Sequence, residues 1–123
     1  MGDKSNRWRG QRWRELVALQ FQAAGISTAT ARALPRSAAT FSDTGPHPDI
    51  DGIPGIHLDT AAASFASMGA YLDAACSAAA MAGDGNVPAV ALYRQQRPSS
   101  DAYVVLRLAD FIKLAIAADG GRS

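Results

Sequence analysis

The sequence lacks the features that mark membrane, secreted and zinc-stabilised proteins. No apolar run approaches the ~20 residues that a membrane span needs, and the polar, basic N-terminus has no signal-peptide core. Cys76 is the only cysteine, so no internal disulfide can form. The histidines are not paired with each other or with Cys76 at the spacing of a structural zinc site. We therefore expect a cytoplasmic protein that does not contact a membrane.

Motifs for several common chemistries are missing as well. The chain has no Gly-rich phosphate loop, no Ser-His-Asp order and no dinucleotide-binding fingerprint. Its 123 residues, 48% of them hydrophobic, fit one globular domain with its own core. Charge and short motifs are therefore the remaining guides to function.

Charge is distributed unevenly along a chain whose formal net charge is only +1. Residues 1–36 hold seven basic and two acidic residues, whereas residues 37–87 hold six aspartates and no lysine or arginine. A basic arm beside an acidic centre fits phosphate contacts around a cation site, and chance clustering of surface charge is the alternative.

Basic side chains interleave with two tryptophans near the N-terminus, a pattern that can bind nucleic acid by charge and stacking. We interpret Trp13 as a core residue of a helix over 11–24. The residues predicted to contact the DNA backbone are Arg7, Arg9, Arg12 and Arg14. The alternative is that these arginines form a solvated helix face.

Residues 47–60 place three aspartates and two histidines among apolar residues. Pro54-Gly55 predicts a tight turn between two short strands. In the second strand, His57 and Asp59 point to the same side of the sheet. Oxygen-rich clusters of this kind suit a hard cation such as Mg²⁺, although aspartates are also common at turns for local hydrogen-bonding reasons.

Hydrophobic spacing predicts further elements around this stretch. The additional predicted helices are 60–82 and 109–118, and the additional predicted strands are a weak edge strand within 26–34, then 89–93 and 102–108. A polar loop is predicted over 35–45.

The segment Pro48-Asp49-Ile50-Asp51-Gly52-Ile53-Pro54-Gly55, followed by a strand with Asp59 near its end, resembles the core of the PD-(D/E)XK nuclease superfamily. More narrowly, it resembles Holliday junction resolvases and their phage or prophage relatives, which read Asp-Ile-x-Gly-x-x-Gly and then a strand ending Glu-x-Lys. Asp59 stands at the second acid, and Ala61 stands at the lysine. Arg14-Glu15-Leu16-Val17 and an Arg-rich turn at 94–97 are similar to the same relatives.

The resemblance implies a single α/β domain with a restriction-endonuclease-like αβββαβ core, in which helices flank a mixed central sheet. That domain would cover 11–118, between a flexible basic N-terminal arm over 1–10 and a flexible tail over 119–123. A homodimer is also implied, because resolution of a four-way junction needs two coordinated active sites.

The resemblance also implies a chemistry, the hydrolysis of phosphodiester bonds in DNA, with branched DNA as one candidate substrate. Asp49 and Asp59 would bind Mg²⁺ or Mn²⁺, which activates a water, and Glu15 would be a third catalytic acid. Arg94 and Arg97 would join the predicted DNA contacts. For Glu15 the alternative is an exposed helix carboxylate near neighbouring arginines.

Ala61 leaves the activity open, because it cannot assist a water or offset transition-state charge as lysine does. Arg94, Gln95 or Gln96 could replace the lysine, weak activity could persist without it, or cleavage could be lost while DNA binding remains. We expect weak cleavage that Ala61→Lys increases. The competing class is a small α/β interaction protein whose aspartates only cap turns.

Overall fold

The computed structural model describes residues 2–33, 47–61, 67–94 and 96–120, and for residues 2–9 it describes the backbone alone. Within these residues the elements are α1 (Gly2–Ala23), β1 (Thr30–Ala31), β2 (Ile50–Asp51), β3 (Ile56–Ala61), α2 (Met68–Ala82), β4 (Val87–Leu92), a 3₁₀ turn (Ser99–Asp101), β5 (Tyr103–Val105) and α3 (Leu108–Gly120).

The described strands form one mixed sheet in the order β1-β2-β3-β4-β5. Strands β3 and β4 are parallel and are connected through α2, whereas the other neighbouring strands are antiparallel. A parallel pair needs a crossover of this kind, and a helix is the usual one. This architecture confirms the predicted α/β class, the αβββαβ order and the mixed sheet flanked by helices.

One face of the sheet packs against α1. Trp13 and Val17 of this helix join Ile50 and Leu58 of the strands in a buried cluster. The indole nitrogen of Trp13 donates to the backbone carbonyl of Ala91 at 3.2 Å, which gives the buried indole a hydrogen-bond partner. Trp13 is therefore a core residue, as the helical spacing predicts.

The other face of the sheet packs against the Ala-rich helix α2. Ala75 of this helix meets Ala61, Val90 and Leu92 in a second buried cluster. Alanine favours the helix and its small side chain lets the helix lie close to the sheet. Because both faces are covered, β4 is buried along its whole length.

A glycine holds the turn after β2 against the segment that precedes β1. Gly52 has a φ of 83°, and a Cβ at this position would collide with the carbonyl oxygen of Thr28. The hydroxyl of Thr28 donates to the carbonyl of Gly52 at 2.6 Å. This contact fixes the start of the β2–β3 hairpin, which carries the predicted acidic residues.

Several predicted boundaries differ from the structure. Helix α1 begins at Gly2, before the predicted start at residue 11, and α3 continues to Gly120, beyond the predicted end at residue 118. The flexibility of the basic arm and of the tail stays a prediction. The first segment contains no proline, and a glycine within a helix weakens it without ending it. The predicted loop over 35–45 and residues 121–123 lie outside the described residues. None of the described helices combines the length and apolar composition required to cross a membrane.

Candidate functional site

Two predicted site residues, Asp49 and Asp59, lie side by side where β2 meets β3. The antiparallel register pairs Ile50 with Leu58, which sets Asp49 opposite Asp59. The backbone N–H of Asp49 donates to Oδ1 of Asp59 at 3.0 Å. The fold thus brings these two acids together, as their spacing in the sequence suggests.

Asp49 forms an ion pair with Arg14 of α1. The side chain of Arg14 is 0% exposed, and one terminal guanidinium nitrogen lies 2.7 Å from Oδ1 of Asp49. The other terminal nitrogen donates to the backbone carbonyl of Arg32 at 2.6 Å. The prediction that Arg14 contacts DNA is therefore corrected: its guanidinium is enclosed in the protein, where a buried carboxylate requires a charged partner.

The second oxygen of Asp49 is bound by Thr60. Both the backbone N–H and the hydroxyl of Thr60 donate to Oδ2, at 2.8 and 3.0 Å. Burial raises the pKa of Asp49 to about 6, the charge of Asp59 acts in the same direction, and Arg14 and Thr60 oppose the rise. A pKa of about 6 leaves Asp49 ionised at neutral pH, so that it forms a buried ion pair with Arg14.

Asp59 is more accessible than Asp49 and lies beside His57. The two side chains share one face of β3, and His57 Nε2 is 3.5 Å from Oδ2 of Asp59. That nitrogen is buried and has no hydrogen-bond partner among the described residues. The sequence places His57 near the acids, and the structure agrees.

The contacts of Asp49 compete with the binding of a hard divalent cation. Mg²⁺ would need free lone pairs from both carboxylates. Both oxygens of Asp49 already accept hydrogen bonds, and the guanidinium of Arg14 at 2.7 Å would repel the metal. Within the described parts of the chain, no group of three or more His, Cys, Asp or Glu side chains is arranged to hold a metal ion. Mg²⁺ or Mn²⁺ at Asp49 and Asp59 stays a prediction, and the contacts of Asp49 weigh against it.

Glu15, the predicted third acid, is exposed on α1. Its carboxylate lies 4.0 Å from the guanidinium of Arg12, in an i,i+3 pair on the helix surface. Successive helical residues point about 100° apart, so Glu15 turns outward where Arg14 turns inward. The contacts described for Glu15 thus match the alternative of an exposed helix carboxylate.

The remaining predicted DNA contacts differ in exposure. More than half of each side chain is exposed at Arg12 and Arg97. Arg94 is more enclosed, since its guanidinium lies 4.1 Å from the ring centre of Tyr103 and donates to the carbonyl of Asp101. The side chains of the other two, Arg7 and Arg9, lie outside the described residues, although both positions belong to α1.

Ala61, at the lysine position of the motif, belongs to the buried cluster under α2. A lysine there would put an ammonium among apolar side chains, which is costly without a partner. The structure therefore argues against our expectation that Ala61→Lys increases cleavage. Of the residues considered as substitutes, Gln95 lies outside the described residues, Gln96 is exposed with a φ of 63°, and Arg94 is engaged at Tyr103.

The sequence analysis did not predict that Arg14 and Thr60 bind the carboxylate of Asp49. The signal lay in the helix pattern, because Arg14 shares a face with Ala18, four residues later, and with Phe21. The structure buries Arg14 and Ala18 and partly buries Phe21. An arginine on the apolar side of a helix requires an internal acid, and Asp49 is that acid.

Comparisons with protein-family models, with curated proteins and with solved structures find no match to this chain.

Proposed function

We propose that this protein binds DNA as a nuclease-fold relative of the Holliday junction resolvases, with cleavage that is impaired or lost. The observation that carries the impaired cleavage is the buried ion pair of Arg14 and Asp49. In the nucleases that the chain resembles, the acid at this position binds a metal. Here an internal cation neutralises it.

The order of elements supports the resemblance, because it is the αβββαβ order that the motif implies. The adjacency of Asp49 and Asp59 supports it too, since the motif places its two acids on neighbouring strands. Each of the two carboxylates also accepts a backbone N–H across the hairpin, which is the bonding that the competing small interaction protein would use.

The position of Ala61 supports impaired cleavage rather than full activity. The relatives use a lysine there to assist the attacking water, and losing one such group typically costs ~10²–10³ in rate. The contacts of Asp49 act in the same direction, because its two oxygens are occupied by Arg14 and Thr60.

DNA binding would use the arginines that remain exposed. Arg12 lies on α1, and Arg97 lies in the turn that precedes the 3₁₀ segment. Gln20 of α1 donates to the hydroxyl of Ser99 at 2.8 Å, so this turn lies against the helix. Exposed arginines on two adjoining segments suit contacts to the phosphate backbone, which do not depend on base sequence. The resemblance further implies a homodimer and a branched DNA target.

An active metal-dependent endonuclease is the second candidate. The adjacency of Asp49 and Asp59 favours it, since both carboxylates lie where one cation could reach them if Arg14 withdrew. Asp59 would then be the more accessible ligand.

DNA binding can be tested by fluorescence anisotropy on a four-way junction and on linear duplexes of two sequences, over a range of salt concentrations. The natural protein should bind equally well in EDTA and in Mn²⁺. The Arg12→Ala and Arg97→Ala variants should each bind more weakly on every DNA and lower the salt slope by about one, because each removes about one phosphate contact.

Lys113→Ala is the matched control, because it also removes one exposed positive charge but lies on α3. It should leave the affinity and the salt slope nearly unchanged. Equal losses in Lys113→Ala and Arg12→Ala would show that only net charge matters. The proposal would be refuted if the natural protein bound none of these DNAs.

A further inference from the structure

Helix α3 exposes a stripe of apolar side chains to solvent, and this set of residues is called the α3 stripe below. Leu108, Phe111, Ile112 and Ile116 recur at three- and four-residue spacing, so they share one face of the helix. Between 48% and 73% of each residue is exposed. On the opposite side of the helix, Asp110 is buried and paired with two basic side chains. Helix α3 thus turns Asp110 inward and its apolar side outward, the reverse of an ordinary surface helix.

The size of the α3 stripe matters, because isolated exposed apolar residues are common. Its four side chains together expose on the order of 400 Å², comparable with the largest apolar patch of a typical monomer, which is often functional. Two such stripes expose about 800 Å² together, so a specific interface of at least about 1,200 Å² would also include the atoms that flank the stripe. The α3 stripe can therefore form the apolar centre of a protein interface.

We propose that the α3 stripe is a homodimer interface, in which α3 packs antiparallel against α3 of a second copy of this chain. A two-fold axis midway along the helix would set Phe111 opposite Ile116 of the second copy, and Ile112 opposite Ala115. Each contact occurs twice, because a two-fold interface is self-complementary. Phe111, Ile112 and Ile116 would then cover one another, and Leu108 would lie beside Asp119 at each end of the interface.

Charge at the ends of α3 supports this occupant and this orientation. Arg107 precedes the helix and is 57% exposed, whereas Asp119 lies at the far end of the stripe. Arg107 Nε donates to Asp110 of its own chain at 2.9 Å, so in the antiparallel pair the terminal guanidinium nitrogens of Arg107 approach Asp119 of the other copy, and the helix dipoles are opposed. A membrane surface suits the stripe less well, since lipid-binding helices carry mainly basic residues on their polar side. This inference does not depend on DNA binding.

Sedimentation equilibrium over a wide concentration range tests the proposal. The natural protein should approach twice the 12.8 kDa of one chain at high concentration. Ile116→Asp should weaken association at least tenfold, because it buries a charge in the centre of the interface. Ala117→Asp is the control: it adds the same charge one residue away, outside the α3 stripe, and should associate like the natural protein. Circular dichroism shows whether both variants remain folded.

A cysteine pair tests the antiparallel register independently. In a Cys76→Ala background, an equimolar mixture of the Ile112→Cys and Ala115→Cys proteins should form mixed disulfide-linked dimers under mild oxidation, whereas a mixture of the Ile112→Cys and Ala117→Cys proteins should not. A 12.8 kDa particle at every concentration would overturn the proposal. Equal association of the Ile116→Asp and Ala117→Asp variants would do the same, as would a monomer that instead binds anionic vesicles through the stripe.

Discussion

Two regions of this molecule depart from the usual distribution of polar and apolar groups, in opposite senses. Under α1, the charged side chains of Arg14 and Asp49 are buried. Along α3, the apolar side chains of Leu108 and Ile116 are more than two-thirds exposed. Buried charge and contiguous exposed apolar surface are the two departures that carry information about a protein, whereas single exposed apolar residues do not.

The difference between the two regions lies in where the partner comes from. Arg14 pairs with the charge of Asp49, and Thr60 donates to the second carboxylate oxygen of Asp49. Both partners of Asp49 therefore belong to its own chain. The α3 stripe, in contrast, stays exposed in a single copy. Substitutions under α1 should therefore change the stability of one copy, and substitutions in the stripe should change association between copies.

The largest expected effect is the loss of the buried arginine. Arg14→Ala leaves Asp49 as an unpaired buried charge and should lower the free energy of unfolding by roughly 3–5 kcal/mol. Arg12→Ala, two residues earlier on the exposed side of α1, should change it by less than about 1 kcal/mol. Urea unfolding followed by Trp fluorescence measures both.

A double variant sharpens this test. Arg14→Met combined with Asp49→Leu removes both charges and should recover much of the lost stability, since a buried ion pair can be replaced by apolar residues at little cost. If Arg14→Ala were as mild as Arg12→Ala, the buried ion pair would not hold the site together.

A smaller effect should appear in the pH dependence of stability. The pKa of Asp49 rises from 3.8 to about 6 on folding, so the native state binds this proton more tightly than the unfolded chain does. The contribution of Asp49 to the free energy of unfolding is fully present below about pH 4. As pH rises to about 6 this contribution, roughly 2–3 kcal/mol, is lost. Urea unfolding between pH 4 and 7 should show this fall.

Asp49→Asn serves as the reference for the pH measurement, because it cannot ionise. The unfolding free energy of Asp49→Asn should lack the decrease that ionisation of Asp49 causes. The unfolding free energy of the natural protein should therefore decrease relative to that of Asp49→Asn between about pH 4 and pH 6. A natural protein that gains stability relative to Asp49→Asn over that range would contradict the raised pKa of Asp49.

Much of the fold could be predicted from local sequence. Helical spacing placed Trp13 in the core, and the turn at Pro54-Gly55 separated two strands whose acids meet across the hairpin. Hydrophobic periodicity also located β4 and α3. These features depend on residues close together in the chain, where spacing fixes which side chains share a face.

The partner of Asp49 could not be predicted so readily. Arg14 and Asp49 are thirty-five positions apart, and their contact depends on how α1 lies across the sheet. An arginine among other arginines near a basic N-terminus suggests a DNA contact, whereas burial of this one follows from tertiary packing. Ala61 presents the same difficulty: its place in the motif suggests an active-site position, but α2 covers it.

The most direct test of the central claim is metal-dependent cleavage of a labelled four-way junction by the natural protein. Reactions in Mn²⁺ and in EDTA would be compared with the Asp49→Asn variant at protein concentrations that saturate the DNA. The account predicts bound junction, with product in Mn²⁺ that barely exceeds the level in EDTA and in Asp49→Asn. Robust cleavage that requires Mn²⁺ and disappears in Asp49→Asn would contradict it, because Asp49 would then take a metal in spite of Arg14.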